Sequence, residues 1–368
     1  MHIRRFTNLV VLSMALLIVF SSLHVPVPVS AQSSGESSVL NPIVVMYDSS
    51  HNPRFPADDA TNGFKLMLDM VNQSTRYVVR VNTHPLNKTI LSGVDVLIIA
   101  EPDSYIPYVA SETDAISSML ANGSSLFLLG DPIIDQNSTY WNTPTLSSMG
   151  ENQGVNVLLD QLNITGPRFS LNTTEGYTFS DAMLDYDHAI NTTYPAVFTL
   201  DSSTWDTTNP IFKDINLLVT MTATLKPLKS PSEIAHSYDT TFAQFRRGPN
   251  SFGNLSYPNM TAAEFAEHPL SYSANNGTYP SWMSAFEYGK SRVVLCGSAL
   301  MFSGNTLDIP SSTDVWFYQA DNSRLFMNIL MWLTYGFVES PDAIYPMAII
   351  SSVILLVGVA VYLYKKLR

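Results

Sequence analysis

Residues 94–100 read VDVLIIA, and Glu101 follows directly. A short, nearly continuous apolar run of this kind is typical of a strand that is buried on both faces of a parallel sheet. The runs 41–46, NPIVVM, and 125–129, SLFLL, have the same character. These three segments therefore predict the central strands of one sheet.

Segments with helical periodicity lie between and after these runs. Residues 60–71 carry apolar side chains at i, i+3, i+4 and i+7, as an amphipathic helix does. Residues 112–121 and 155–162 predict two more helices, and Ser111 and Asp114 have the spacing of a capping box. Strands that alternate with helices predict an α/β domain with a mostly parallel, doubly wound sheet of the flavodoxin-like kind.

The later part of the chain completes this pattern. Further strands are predicted at 196–200, 217–225, 282–287 and 292–296, and a last helix from about 321 to Gly336. The polar stretch of about 226–280 has little periodicity, which predicts either a surface insertion or an ordered lid. We find no internal repeat and expect one exported domain over residues 32–344.

The two ends of the chain predict export and a membrane anchor. Residues 1–31 combine an N-terminal Arg pair, an apolar run and small residues before Gln32, as a signal peptide does. The alternative, an uncleaved anchor, is disfavoured because the apolar run is only 12 residues long. Residues 345–364 predict a transmembrane helix, and the basic tail 365–368 predicts a cytoplasmic end. We expect a single-pass type I protein whose bulk is extracellular or lumenal.

Charge and cysteine content exclude several classes of protein. The segment between the two ends holds all 31 acids against 14 of the 19 bases, a formal charge of −17, which argues against a nucleic-acid partner. Cys296 is the single cysteine, so neither an intrachain disulfide nor a Cys-cluster zinc site is possible. The sequence has no metal-binding or Gly-rich phosphate motif, so we expect no metal and no cofactor.

Ten Asn-x-Ser/Thr sequons fit an exported, glycosylated domain, although a chain rich in Asn, Ser and Thr produces several by chance. The candidate glycosylation sites are Asn72, Asn87, Asn122, Asn137, Asn163, Asn172, Asn191, Asn254, Asn259 and Asn276.

Polar residues follow the predicted strands where ligands bind in an open α/β sheet, at the carboxyl ends of the strands. We expect them to form a small acidic cleft that binds a ligand; the alternative is that such residues simply end strands well. The candidate ligand-binding residues are Asp48, Ser49, His51, Glu101, Asp103, Gly130, Asp131 and Ser298.

Nucleophilic chemistry lacks its sequence pattern. A nucleophile elbow needs glycines on both sides of the nucleophile, and neither Cys296 nor Ser298 has them. Cys296 also falls inside a predicted strand, which indicates an inert buried thiol. We name no catalytic residue.

The order of the segments IVVMYDSSH, VDVLIIAEPD, GSSLFLLGDP, GKSRVVLCGSALMF and DNSRLFMNILMWL resembles the class I glutamine amidotransferase-like family in its non-catalytic GIFT branch. The resemblance covers roughly residues 41–145 and 205–336. Members include domains of intraflagellar-transport, gliding and ABC-transporter-associated proteins and of the 48-kDa oligosaccharyltransferase subunit. The place that matches the catalytic Cys of active members is Gly130-Asp131, so the resemblance implies no amidotransferase activity.

The leading hypothesis is a membrane-anchored, catalytically silent domain that binds a partner or a glycan-like ligand. It would serve as an accessory subunit of a membrane complex such as oligosaccharyltransferase or an ABC transporter. The rival hypothesis is an extracytoplasmic hydrolase that uses Asp48, Glu101 or Asp131 as acid and base, because paired carboxylates suffice for glycoside hydrolysis.

Overall fold

The computed structural model describes residues 42–174, 176–226, 230–245, 272–273 and 279–335. The predicted signal peptide, transmembrane helix and tail lie outside these residues, as do Asn254, Asn259 and Asn276. None of the described helices is long and apolar enough to cross a membrane.

The described residues form four α-helices and sixteen strands. The helices are α1 (Lys65–Gln73), α2 (Ala110–Ala121), α3 (Gln153–Gln161) and α4 (Asn322–Leu333). The strands are β1 (Ile43–Asp48), β2 (Tyr77–Asn82), β3 (Val96–Ala100), β4 (Ser125–Leu129), β5 (Arg168–Phe169), β6 (Leu171–Thr174), β7 (Tyr177–Ser180), β8 (Ala182–Leu184), β9 (Phe198–Asp201), β10 (Leu217–Thr220), β11 (Leu225–Lys226), β12 (Glu233–His236), β13 (Phe242–Gln244), β14 (Tyr272–Ser273), β15 (Ser281–Tyr288) and β16 (Ser291–Cys296).

Seven strands form the central sheet in the order β12-β15-β16-β4-β3-β1-β2. The five strands from β16 to β2 are parallel to one another, and β15 runs antiparallel between β12 and β16. The expected mixed α/β fold with a mostly parallel sheet is therefore confirmed.

Both faces of this sheet are buried, because side chains alternate along each central strand. In β3, Val96, Ile98 and Ala100 belong to one core, which also contains the buried faces of α1 and α4. Leu97 and Ile99 belong to the other core, which is covered by α2 and α3. Helices on both faces make the sheet doubly wound, as the continuous apolar runs predict.

The strand order reverses at β1. The chain passes from β1 to β2 on one side and then returns to β3 on the other side, where Tyr47 pairs with Ile98. The ends of β1 and β3 thus flank a topological switch point, where open α/β sheets bind their ligands. Asp48 ends β1, and Glu101 follows β3.

Two local predictions need correction. Helix α2 begins at Ala110, so Ser111 lies in its first turn and does not cap it; Glu112 instead accepts a hydrogen bond from the Val109 backbone N–H at 3.0 Å. The expected insertion at about 226–280 also contributes β12 to the central sheet, and residues 227–229, 246–271 and 274–278 are outside the described part.

Candidate functional site

The expected site residues do lie at the carboxyl edge of the sheet, because β16, β4, β3 and β1 are parallel neighbours. However, their side chains are largely buried, so they do not line the open acidic cleft that we expected. Ser49 and Asp103 are half-buried, and the fully buried members are Asp48, His51, Glu101, Gly130, Asp131 and Ser298.

Two of the expected residues, Asp48 and His51, belong to a group that we call the His51 cluster. Its members are Asp48, Ser50, His51, Asn82, Tyr108 and Glu112. The Nδ1 of His51 lies 3.0 Å from Asp48 Oδ2, and its Nε2 lies 3.3 Å from Glu112 Oε2. Tyr108 stacks on the imidazole, with 3.7 Å between ring centroids, and donates its hydroxyl proton to Asp48 at 2.8 Å. The imidazole is therefore held between two carboxylates.

Electrostatics in the His51 cluster favour the charged forms of His51 and Asp48. Burial opposes the imidazolium, but the hydrogen bond and charge of Asp48, with those of Glu112, outweigh it and raise the pKa of His51. Burial likewise opposes the Asp48 carboxylate, yet hydrogen bonds from His51, Ser50 and other neighbours lower its pKa overall. The charged forms of His51 and Asp48 thus stabilise each other.

The His51 cluster does not have the geometry of a catalytic triad. In a triad, the nucleophile and the acid contact opposite nitrogens of the histidine. Ser50 Oγ lies 2.9 Å from His51 Nδ1, the same nitrogen that Asp48 contacts, and it donates its proton to Asp48 Oδ1 at 2.7 Å. His51 is therefore not placed to activate the Ser50 hydroxyl.

The second group is the buried carboxyl pair, Glu101 and Asp131. Glu101 has φ +41°, which is rare for a residue other than glycine and is found at strained functional positions. Its Oε1 accepts a hydrogen bond from the Gly150 N–H. Asp131 Oδ1 accepts one from the Leu300 N–H at 2.8 Å. Of the second oxygens, Glu101 Oε2 lies in an ion pair with Arg54 Nε at 3.4 Å, and Asp131 Oδ2 makes no hydrogen bond to a described residue.

Burial dominates the ionisation of this pair. It raises the pKa of Glu101 to about 7 against the opposing charge of Arg54. Burial and then the charge of Glu101 raise the pKa of Asp131 well above its ordinary value. Two such carboxyls cannot both ionise at low cost.

Arg54 connects the buried carboxyl pair to the surface. Its Nε lies 3.4 Å from Glu101 Oε2, and its guanidinium also donates to Ser148 Oγ at 2.8 Å and to Glu151 Oε2 at 2.6 Å. Burial raises the pKa of Glu151, although Arg54 opposes the shift.

Gly130 and Cys296 have structural roles. A Cβ at Gly130 would lie 2.5 Å from Asn152 Oδ1, so this position needs glycine for close approach. The Cys296 thiol is fully buried, and burial raises its pKa to about 12. A thiol in this state is not a nucleophile at neutral pH.

An open cavity of about 220 Å³ lies beside Glu151. Its aromatic wall comes from β7, where Tyr177 and Phe179 stack with 6.2 Å between centroids, and Tyr105 contributes from the loop after β3. Tyr105 is 80% exposed and Tyr177 is 53% exposed. The remaining lining residues are Ser104, Pro107, Glu151, Gln153, Gly154, Val157, Gly176 and Thr178.

Sequence reasoning missed this cavity and the role of Arg54. Residues 177–180, YTFS, alternate aromatic and hydroxyl side chains as a half-exposed strand does. This alternation is the sequence pattern from which the aromatic wall of the cavity could have been predicted. Across the described ranges, no group of three or more His, Cys, Asp and Glu side chains is arranged to hold a metal ion.

The described sequons are accessible with one exception. Asn172 is half-buried in β6, and the exposed ones are Asn72, Asn87, Asn122, Asn137, Asn163 and Asn191. Asn72, Asn122 and Asn163 lie at or just beyond the C-terminal ends of α1, α2 and α3. Since these helices run back along parallel strands, the three sequons lie toward the amino edge of the sheet, away from the cavity.

Known proteins resemble the chain in fold. No protein-family model matches it, and neither does any curated protein. The mmIFT52 N-terminal domain is similar with a TM-score of 0.50 and 14% identity, over 80% of this chain and all of that domain. A putative ThuA-like protein from Bacteroides uniformis has a TM-score of 0.38 and 10% identity, over 79% of this chain and 91% of that one. The fold shared with the first domain supports the glutamine amidotransferase-like architecture that the sequence resemblance implies.

Proposed function

We propose that this protein is a single-pass type I membrane protein whose exported glutamine amidotransferase-like domain binds a glycan-like ligand or partner and performs no amidotransferase chemistry. The cavity beside Glu151 is the proposed binding site. The observation that carries this proposal is the combination of exposed tyrosines and hydroxyl or amide groups around one cavity.

The lining of the cavity favours a neutral, hydroxyl-rich ligand. Tyrosine rings supply apolar faces for stacking, while Ser104, Gln153 and Thr178 supply donors and acceptors. Among the lining residues that the structure describes, the charged one is Glu151, which is paired with Arg54 at 2.6 Å. An anionic ligand would meet the Glu151 carboxylate, and a cationic one would have to compete with Arg54.

The size of the cavity limits the ligand. A volume of about 220 Å³ is below the ~300–1,000 Å³ of pockets that enclose drug-sized molecules. One sugar-sized group therefore fits inside, and any larger glycan must extend into solvent.

In this proposal, the cavity lies on the side of the domain away from the bilayer. Helix α4 ends at the amino edge of the sheet, where Ser125 donates its hydroxyl proton to the Leu333 carbonyl at 2.7 Å and Tyr335 contacts the Lys290 carbonyl at 2.9 Å. The predicted membrane span begins about ten residues later in the sequence. The carboxyl edge, with its cavity, would thus face outward to a partner or glycan.

The binding proposal is tested with the purified full-length protein in detergent. A panel of neutral oligosaccharides, including maltotriose, chitotriose and a high-mannose N-glycan, is screened by protection against thermal unfolding, and glutaminase activity is assayed in parallel. Stabilisation by at least one sugar without ammonia release from glutamine is expected. Release of ammonia that requires the intact protein would contradict the proposal.

A hydrolase is the second candidate, and the pKa of about 7 at Glu101 favours it. A carboxyl that titrates near neutral pH is suited to general acid catalysis. Its complete burial separates it from the cavity, which is why the hydrolase ranks second. Hydrolysis of an oligosaccharide in the same panel, abolished by Glu101→Gln, would establish this alternative.

A further inference from the structure

Three acids and one base meet between the cavity and the end of β3. Arg54 donates to Glu151 at 2.6 Å on the cavity side and lies 3.4 Å from Glu101 Oε2 on the buried side. Asp131 is close enough to Glu101 for that charge to affect its ionisation. One guanidinium therefore serves three carboxyl groups.

Burial makes full ionisation of this group expensive. Glu101 is 1% exposed and Asp131 is 0% exposed, and an unpaired buried carboxylate is far costlier than its protonated form. Glu101 Oε2 faces Arg54 Nε at 3.4 Å, whereas Asp131 Oδ2 has no hydrogen-bond partner among the described residues and is the open position for a proton on the pair. Arg54 can compensate one negative charge, and its shortest contact with a carboxyl group, 2.6 Å, is with Glu151.

We propose that Glu101 and Asp131 form a proton-binding site and that Arg54 couples this site to Glu151 in the cavity wall. When Glu101 and Asp131 are both protonated, Glu151 is the carboxylate that pairs with Arg54. When Glu101 ionises, the two carboxylates compete for the guanidinium. The effect on ligand binding in the cavity rests on the proposed function. The proton-binding site itself does not depend on that function.

Other titratable groups lie around the carboxyl pair and Arg54. On the cavity side, the charge of Asp103 acts on Glu151. On the buried side, the charge of Asp131 acts on Tyr140 and on Cys296, which burial keeps neutral. Within this site, the group with a pKa of about 7 is therefore Glu101.

The sign of the pH dependence follows from linkage. Glu101 has a pKa of about 7 in the folded protein against about 4.3 in an unfolded chain. Between these values the folded state binds more protons, so stability falls as pH rises and levels off above about pH 7.

The test measures the melting temperature of the full-length protein in detergent from pH 4.5 to 8, without ligand. Glu101→Gln keeps the acceptor for Gly150 and should remove much of the fall. Glu151→Gln should move the midpoint of the fall to lower pH, because it removes a repelling charge and frees Arg54. In the Glu101→Gln background, Glu151→Gln should produce no such shift.

Matched controls make the outcome decisive. Asp103→Asn removes a neighbouring charge that does not contact Arg54 and should leave the midpoint in place. Asp181→Asn removes another buried carboxyl with a pKa of about 7, and the Glu151→Gln shift should persist in that background. Equal pH profiles for wild type, Glu101→Gln and Asp131→Asn would overturn the proton site. Equal shifts from Glu151→Gln and Asp103→Asn, or none from either, would overturn the coupling through Arg54.

Discussion

The imidazole Nε2 of His51 lies 3.3 Å from Oε2 of Glu112, although the two residues are 61 positions apart in the chain. Glu112 also accepts hydrogen bonds from the backbone N–H groups of Leu86 and Val109. One buried carboxylate thus joins the start of α2, the loop after β2 and the loop after β1. This arrangement fixes the backbone at the switch point of the sheet.

The contact predicts a pH effect. Because its folded pKa is raised, His51 stabilises the fold below its unfolded pKa of about 6.5, and this contribution is lost as pH rises through the folded pKa. Glu112→Gln should lower the His51 pKa and destabilise the protein by about 1–3 kcal/mol. Urea unfolding at pH 5.5 and 8 measures both effects. Asp69→Asn, in the exposed pair with Lys65, is the control and should change little; equal losses from the two variants would refute the role of Glu112.

A second prediction concerns Cys296. Because the thiol is buried and its pKa is raised to about 12, iodoacetamide should not modify it in the native protein at pH 8. Mass spectrometry before and after denaturation gives the comparison, with modification expected only afterwards. Cys296→Ser should leave ligand binding intact and cost about 1–3 kcal/mol of stability, since it buries a hydroxyl. Rapid native alkylation accompanied by loss of binding would revive Cys296 as a functional group.

The predicted topology has its own test. Protease added to sealed vesicles of native orientation should digest residues 32–344 and leave a small membrane stub, because the basic residues follow the predicted span. Detergent lysis of the vesicles controls for protease activity. In a host that N-glycosylates, the sequons at Asn72, Asn122 and Asn163 should be occupied, since all three are exposed. A protected, unglycosylated domain would contradict the type I assignment.

The central sheet was predictable because its strands are buried on both faces and so leave continuous apolar runs at 94–100 and 125–129. The ends of these strands were predictable because each apolar run stops at a polar residue or a glycine. The ionisation state of the polar residues was not predictable. Asp48 and Glu101 lie at the ends of adjacent strands, yet hydrogen bonds keep Asp48 ionised, whereas burial raises the pKa of Glu101 to about 7. That difference depends on the hydrogen bonds that His51 and Ser50 make to Asp48 and on the burial of Glu101, which the charge of Arg54 only partly offsets.

The cavity was hidden from sequence reasoning for a related reason. Its walls combine the loop containing Tyr105, the start of α3 and the short hairpin strand β7. These elements are separated by up to about 70 residues, and a four-residue strand gives too short an alternating pattern to identify from sequence.

The most direct test of the binding proposal is the affinity of the full-length protein for the oligosaccharide from the panel that stabilises it best, measured by calorimetric titration for wild type and Tyr177→Ala. Tyr318→Ala is the matched control, because Tyr318 is also strongly exposed, at 63%, but does not line the cavity. We predict that Tyr177→Ala weakens binding about tenfold, equivalent to ~1.4 kcal/mol, through loss of aromatic stacking. Tyr318→Ala should leave the affinity unchanged. Equal affinities for wild type and Tyr177→Ala, or no binding of any neutral sugar, would contradict the account.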